Sequence, residues 1–179
     1  SDEINDENAS ELLSDVDGIF VPGEFGTRSA EGEIVACRYA RENKVPYFGI
    51  CLGMEVAIID YARNVLGLTD ANSVEYNPET KNPVVHFAHG LRDTLQQGGP
   101  LRIGAYKCKL REGTRIHSLY GKTCINERHR NRYEINNDYL CQFAKHGMVF
   151  SGCNEELDLV ESIELPDHPW FVACQYHPE

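Results

Sequence analysis

The sequence predicts an α/β fold of three layers: an open, mostly parallel sheet with helices on both faces. Two observations carry this. Strand-like and helix-like segments alternate through the first 66 residues, which is the pattern of parallel strands joined by crossover helices. The length of 179 residues with 41% hydrophobic side chains gives room for one substantial core, so a single domain spanning residues 1–179 is expected.

The elements follow in order. Asn8 to Asp15 reads as the last turns of a helix. Asp17 to Gly23 is a short apolar run closed by Pro22 and Gly23, a buried strand ending in a turn. Glu31 to Asn43 places Ile34, Val35, Tyr39 and Ala40 at helical spacing. Val45 to Ile50 is a second strand, and Met54 to Leu66 a long amphipathic helix. Further on, strands are expected at Leu101 to Tyr106, Thr123 to Asn126, Met148 to Cys153, Leu159 to Leu165 and Phe171 to Tyr176, with a short helix at Leu140 to Lys145. Asn77 to Gly99, rich in Pro, Asn, Gly and Gln, reads as a long surface excursion.

Charge excludes one large class of partner. With 17 basic against 28 acidic side chains the formal charge is −11, whereas a protein that grips phosphate backbones is basic, so no nucleic acid partner is expected. No apolar run approaches the roughly 20 residues of a membrane-spanning helix, and the first residues are acidic, unlike a secretory signal. Seven irregularly spaced cysteines include no C-x-x-C pair, so neither a disulfide framework nor a structural metal site is expected. A soluble cytoplasmic protein that makes no membrane contact is the expectation.

Three segments could carry chemistry. Gly49-Ile50-Cys51-Leu52-Gly53 lies where a buried strand meets a helix. Small residues on each side of a nucleophile suit a tight strand-to-helix turn, which would present the Cys51 thiol at the sheet's carboxyl edge near the positive end of the helix. On these five residues alone, a buried structural cysteine is an equal reading. Gln175-Tyr176-His177-Pro178-Glu179 adds a histidine and a carboxylate two apart on an extended segment, hence on one side of it. Such a pair supplies a base and the group that fixes its tautomer. Val21-Pro22-Gly23-Glu24-Phe25-Gly26 closes the other early strand. Its turn could lend the Gly23 N–H, alongside that of Leu52, to an oxyanion, although taken alone it is an ordinary loop.

These blocks, PG(x)FG, GICLGM and HPE, resemble the class I glutamine amidotransferase pattern with Cys, His and Glu in that chain order. DGIFVPGEFGTRSAEG, YARENKVPYFGICLGMEVAIIDYARN, ANSVEYNP, ERHRNRYEIN and HPWFVACQYHPE are similar, more narrowly, to the amidotransferase domain of the CTP synthase family. The resemblance implies a flavodoxin-like fold that hydrolyses L-glutamine. Cys51 would be the nucleophile, His177 the base and Glu179 its orienter, with the Gly23 and Leu52 N–H groups as oxyanion hole. Glutamine would touch Glu24, the stretch Leu52, Gly53, Met54 and Glu55, and also Glu75 and Arg132. An amino acid presents one ammonium and one carboxylate, which Glu75 and Arg132 suit respectively.

The resemblance also implies a synthetase domain on the same polypeptide that aminates UTP to CTP with ATP and Mg2+, and a homotetrameric full-length enzyme. It implies no cofactor or metal in this domain, and the chain carries no G-x-x-x-x-G-K-[ST] phosphate loop. Beside the family the chain looks short at both ends, as part of a larger enzyme.

Departures from the family pattern are Glu24 where a second glycine is usual, Glu55 where Gln is usual, Arg28-Ser29-Ala30 for the usual Arg-Gly stretch, and Asn131 where His is usual. Two of these add acid near the glutamine site. A Glu at position 24 would be strained if that position needed positive φ. An ionised Glu55 could accept hydrogen bonds but not donate them. The rival readings are the glutaminase unit of another amidotransferase, a γ-glutamyl hydrolase, or a catalytically weak regulatory or assembly module. Glutamate release and labelling of Cys51 distinguish the enzyme readings from the last.

Overall fold

The computed structural model describes residues 3–24, 30–87 and 101–179. After a short helix α1 (Ala9–Leu12), the order is β1 (Ile19–Val21), α2 (Ala30–Asn43), β2 (Tyr47–Ile50), α3 (Leu52–Asn64), β3 (Asn72–Ser73), β4 (Pro83–Phe87) and β5 (Arg102–Leu110). Then come α4 (Arg115–Tyr120), β6 (Cys124–Asn131), β7 (Tyr133–Ile135), a 3-10 turn at Asn137–Tyr139, α5 (Leu140–Lys145), β8 (Val149–Asn154), β9 (Leu159–Glu164) and β10 (Phe171–Cys174).

The principal sheet has seven strands in the order β1-β2-β10-β9-β8-β5-β6. The α/β class expected from the sequence stands, but its mostly parallel character does not. Parallel pairing is confined to β1–β2 and β2–β10, and the β10–β9, β9–β8, β8–β5 and β5–β6 pairs are antiparallel. The reason lies in the connections. Only the first strands are separated by helices long enough for a crossover. By contrast, β8 and β9 are joined by a tight turn in which the Asn154 Oδ1 accepts from the N–H groups of Glu156 and Leu157 and Asp158 adopts φ 52°.

Side chains alternate between two cores across this sheet. Tyr47, Phe171, Ala173 and Ile163 join α2 and α3 on one face, with Tyr47 stacked on Phe171 at 4.6 Å. Ile50, Val172 and Cys174 join Ile116 of α4 on the other. The buried Asp60 of α3 receives two hydrogen bonds from Arg41 of α2, at 2.7 and 3.1 Å, which clasps the two long helices.

The expected early helices and strands are present to within a few residues. The structure corrects the excursion expected at 77–99, because Pro83–Phe87 is a strand of a second, three-stranded sheet, β3-β4-β7. Residues 88–100 lie outside the described set, as do Phe25, Gly26, Arg28 and Ser29. Helix α4, absent from the sequence expectation, is six residues capped by Thr114, whose side chain accepts from the His117 N–H, and closed by Gly121 at φ 62°.

Candidate active site

The turn between β2 and α3 is shaped by contact between backbones. A Cβ on Gly49 would lie 2.5 Å from the Gly53 carbonyl oxygen, and one on Gly53 would lie 2.3 Å from that of Val21 on β1. Any side chain at either position would force the strands and helix apart. Between them Cys51 takes φ 54°, ψ −105°. A non-glycine residue in that conformation stores roughly 1–3 kcal/mol, which the surrounding packing must hold. Its own N–H donates to the Cys174 carbonyl at 2.7 Å, and its carbonyl accepts from Met54 and Glu55 in the first turn of α3. The Tyr47 hydroxyl donates to the Gly53 carbonyl at 2.7 Å, fixing the same turn.

Beyond β10 the chain bends so that the His177 N–H donates to the Arg128 carbonyl at 2.8 Å, seating the terminal segment against β6. The His177 Nδ1 lies 2.8 Å from Glu179 Oε1. With Nδ1–H donating there, Nε2 is left as an acceptor, and it is buried with no hydrogen-bond partner among the described residues. Gly23 brings this ring to the thiol. A Cβ on Gly23 would stand 2.6 Å from His177 Cε1, 3.4 Å from its Nε2 and 3.3 Å from the Cys51 Cβ, so the imidazole and the cysteine close over Gly23 from two sides. Burial opposes ionisation of Glu179, but the hydrogen bond from His177, a backbone hydrogen bond and the neighbouring Arg128 charge together hold the carboxyl below its ordinary value.

Two adjoining clefts meet at Cys51. One, ≈ 600 Å³, is lined by Gly23, Glu24, Cys51, His177 and Glu179 and by β5–β6 residues including Ile103, Arg128 and Arg130. The other, ≈ 430 Å³, brings Glu24, Cys51, Glu55, Glu75 and Arg132 together with Leu101, Arg130, Asn131 and Tyr133. The residues expected to meet an amino acid's two charged groups therefore share one cleft with the thiol. Leu52, Gly53 and Met54 line neither cleft. Leu52 and Met54 are packed into the core and Gly53 against β1, so at most their backbone could reach a ligand. Glu24 is not among the described residues with positive φ, so the strain conditional on that geometry does not arise.

The thiol is not poised as a free anion. Burial pushes its pKa up and the neighbouring Glu55 adds to this, while the Leu52 N–H and the Gln175 amide pull it down. Gln175, fully buried, donates from Nε2 to Cys51 Sγ at 3.7 Å and to Glu55 Oε1 at 3.3 Å. Gln175 belongs to the terminal HPWFVACQYHPE segment, but nothing in the sequence assigns it a role at the thiol.

The facing wall is held by buried ions. Arg102 donates to Glu134 Oε1 at 2.5 Å and to Glu161 Oε1 at 2.6 Å, and His129 Nε2 lies 2.6 Å from Glu161 Oε2. The Arg102 guanidinium lies 4.5 Å from the Tyr106 ring centre. Asn131 has a structural part here: its Nδ2 donates to Glu134 Oε1 at 2.8 Å and to the Tyr133 carbonyl at 2.9 Å. This network ties together β6, which carries Arg130, and β7, with Arg132 at the bend between them.

Among the described residues no helix is long and apolar enough to cross a membrane, and no group of three or more His, Cys, Asp or Glu is placed to hold a metal ion. All seven cysteines are free thiols.

A sheet whose strand-to-helix turn carries a cysteine, with a His–Glu pair brought beside it, defines a class, and comparison with known families gives the same one. The model of the family "Glutamine amidotransferase class-I" matches residues 2–179, and the chain belongs to that family. Within it the similarity is to CTP synthases. The chain is 53% identical over its whole length to the CTP synthase of Staphylococcus saprophyticus and 54% identical to that of Shouchella clausii, covering 33% and 34% of those proteins. It thus spans about a third of the curated relatives it matches. The glutaminase domain of Trypanosoma brucei CTPS, solved with bound acivicin, superposes with a TM-score of 0.90 at 37% identity, covering 96% of this chain and 67% of that one. A Thermotoga maritima glutamine amidotransferase, at 11% identity and TM-score 0.58, shares the fold alone.

Proposed function

We propose that the chain is the glutaminase domain of a CTP synthase, and that residues 1–179 act as one amidotransferase domain of a larger polypeptide. The observation that carries the chemistry is the unpartnered His177 Nε2 held beside Cys51 by the Glu179 hydrogen bond.

His177 Nε2 takes the thiol proton as Cys51 Sγ attacks the side-chain amide carbon of L-glutamine. The carbonyl oxygen gathers negative charge against the N–H groups of Gly23 and Leu52. The imidazolium returns the proton to the leaving nitrogen, the C–N bond breaks, and ammonia departs from a γ-glutamyl thioester on Cys51. Water, deprotonated by the same Nε2, then cleaves the C–S bond to release glutamate and restore the thiol. Glu179 holds the ring in the required tautomer. The substrate's ammonium faces Glu75 and its carboxylate faces Arg132, while Glu24 and Glu55 line the rest of the same cleft.

The ammonia is passed to the synthetase domain of the same polypeptide, which aminates UTP to CTP in a cytoplasmic, homotetrameric enzyme. ATP and Mg2+ belong to that domain, and no step here runs through them.

The test is glutamine-dependent CTP formation and glutamate release by the full-length protein. Cys51→Ala is expected to abolish both while ammonia-dependent CTP formation persists. Glutamate release without CTP formation would redirect the reading to another amidotransferase or a γ-glutamyl hydrolase. Neither turnover nor labelling of Cys51 by a glutamine-like electrophile would leave the regulatory-module reading.

A further inference from the structure

Glu55 is a buried carboxyl set one helical turn from the nucleophile. It is 4% exposed, and its Oε1 accepts from Gln175. Around it stand Cys51 on its own helix, Glu75 and Tyr76 from the β3–β4 connection, Glu134 and Tyr133 from β7, and Arg130 and Arg132 across the cleft. The Arg102 guanidinium is already committed to Glu134 and Glu161.

Gln175 sits between this acid and the thiol. A primary amide carries two N–H hydrogens, and its nitrogen lies within reach of two acceptors, Glu55 Oε1 and Cys51 Sγ. Its Oε1 is buried without a partner among the described residues, and its backbone N–H donates to the Glu161 carbonyl at 2.9 Å, which ties the residue to β9. The backbone of Gln175 is therefore anchored to β9, and its side chain spends both hydrogens on the α3 turn.

We propose that Gln175 is a positioning residue for Cys51, sharing its amide hydrogens between the thiol and Glu55, and that Glu55 serves the reaction as a neutral acid. The proposal rests on the reading of Cys51 as nucleophile. While Glu55 is neutral, the amide is free to favour a forming thiolate. Once Glu55 ionises it draws the shared N–H toward itself, since hydrogen bonds to charged acceptors are the stronger ones, and it repels the thiolate directly. Burial and the Glu75 and Glu134 carboxylates all push Glu55 toward the neutral form, against the pull of the Gln175 hydrogen bond.

The experiment is the rate of Cys51 alkylation by iodoacetamide from pH 6 to 9 in the full-length protein, which needs no glutamine turnover. The ratio of Glu55→Gln to wild type is expected near one at pH 6, where Glu55 is neutral, and to rise at higher pH only as Glu55 ionises. A ratio already about tenfold at pH 6 and flat thereafter, the mark of a carboxylate ionised throughout, overturns the neutral-acid assignment. Gln175→Met, and Gln175→Asn as a second variant that cannot span the gap, are expected to slow Cys51 alkylation about tenfold at each pH in the range, the equivalent of about one pKa unit. An unchanged rate in a variant that retains the wild-type melting temperature overturns the positioning role. Alkylation that behaves as expected in a protein releasing no glutamate would sink the glutaminase reading and leave this proposal standing.

Discussion

On the β1–β2–α3 side of the cleft backbone meets backbone through Gly49 and Gly53, and geometry is held by the absence of side chains. On the β5–β6–β7 side it is held by their polar groups, through the Arg102 ion pairs to Glu134 and Glu161 and the His129–Glu161 hydrogen bond. The nucleophile wall needs a single strained conformation at Cys51, which close packing over-determines. The facing wall must carry Arg130, on the edge strand β6, and Arg132, at the bend between β6 and β7, beside a buried ion network. Steric fit tolerates no added atom, whereas an ion network tolerates no missing partner.

Each wall can be broken in its own way. The largest effect on activity is expected from Cys51→Ala, a loss of about 10⁴-fold or more in glutamine hydrolysis, the scale seen when a nucleophile is removed. Gly53→Ala should be the most damaging substitution on the nucleophile wall for stability. The clash is with a carbonyl rather than a flexible side chain, so the cost should reach or exceed the roughly 1–3 kcal/mol of ordinary overpacking, read by urea denaturation.

On the facing wall Arg102→Met leaves Glu134 and Glu161 without their cation, at a cost of about 3–5 kcal/mol. Adding Glu161→Gln and Glu134→Gln should recover part of this, because the penalty is an uncompensated buried charge. Gly53→Ala has no such rescue.

Glu55 joins the two walls electrostatically and predicts a pH dependence. Its carboxyl is raised in the folded state by burial first. A raised carboxyl contributes stability that is fully present below its unfolded value and is lost as pH rises through its folded value. Glu55→Gln should therefore match wild type in melting temperature in acid and exceed it increasingly as pH rises through the folded-state value. The smallest effect belongs to the exposed Lys109–Glu155 pair, 2.6 Å apart on the outer surface, where Lys109→Ala should leave the melting temperature unmoved.

The two walls also differ in how far they could be read in advance. Cys51, its flanking glycines, and His177 with Glu179 were legible because each depends on a few adjacent residues and on strand or helix periodicity. Glu75 and Arg132 came from the family resemblance, and the second cleft brings them together with Cys51. Arg102, Glu134 and Glu161 were silent, since a charged residue in a strand looks like a solvent-facing one until pairing brings three strands together. Gln175 was invisible for the same reason: its two acceptors lie 120 and 124 positions away along the chain. The antiparallel half of the sheet escaped because strand pairing across β8–β5 and β10–β9 leaves no local trace, and β3, β4 and β7 are too short to show a period.

The central claim is that Cys51 carries the γ-glutamyl group. It is tested most directly by mixing the full-length protein with labelled L-glutamine, quenching in acid within a turnover and mapping the label by peptide mass spectrometry. The account predicts a thioester on Cys51, absent from Cys51→Ala together with all glutamate release. Label on any other residue, or undiminished glutamate release by Cys51→Ala, would contradict it.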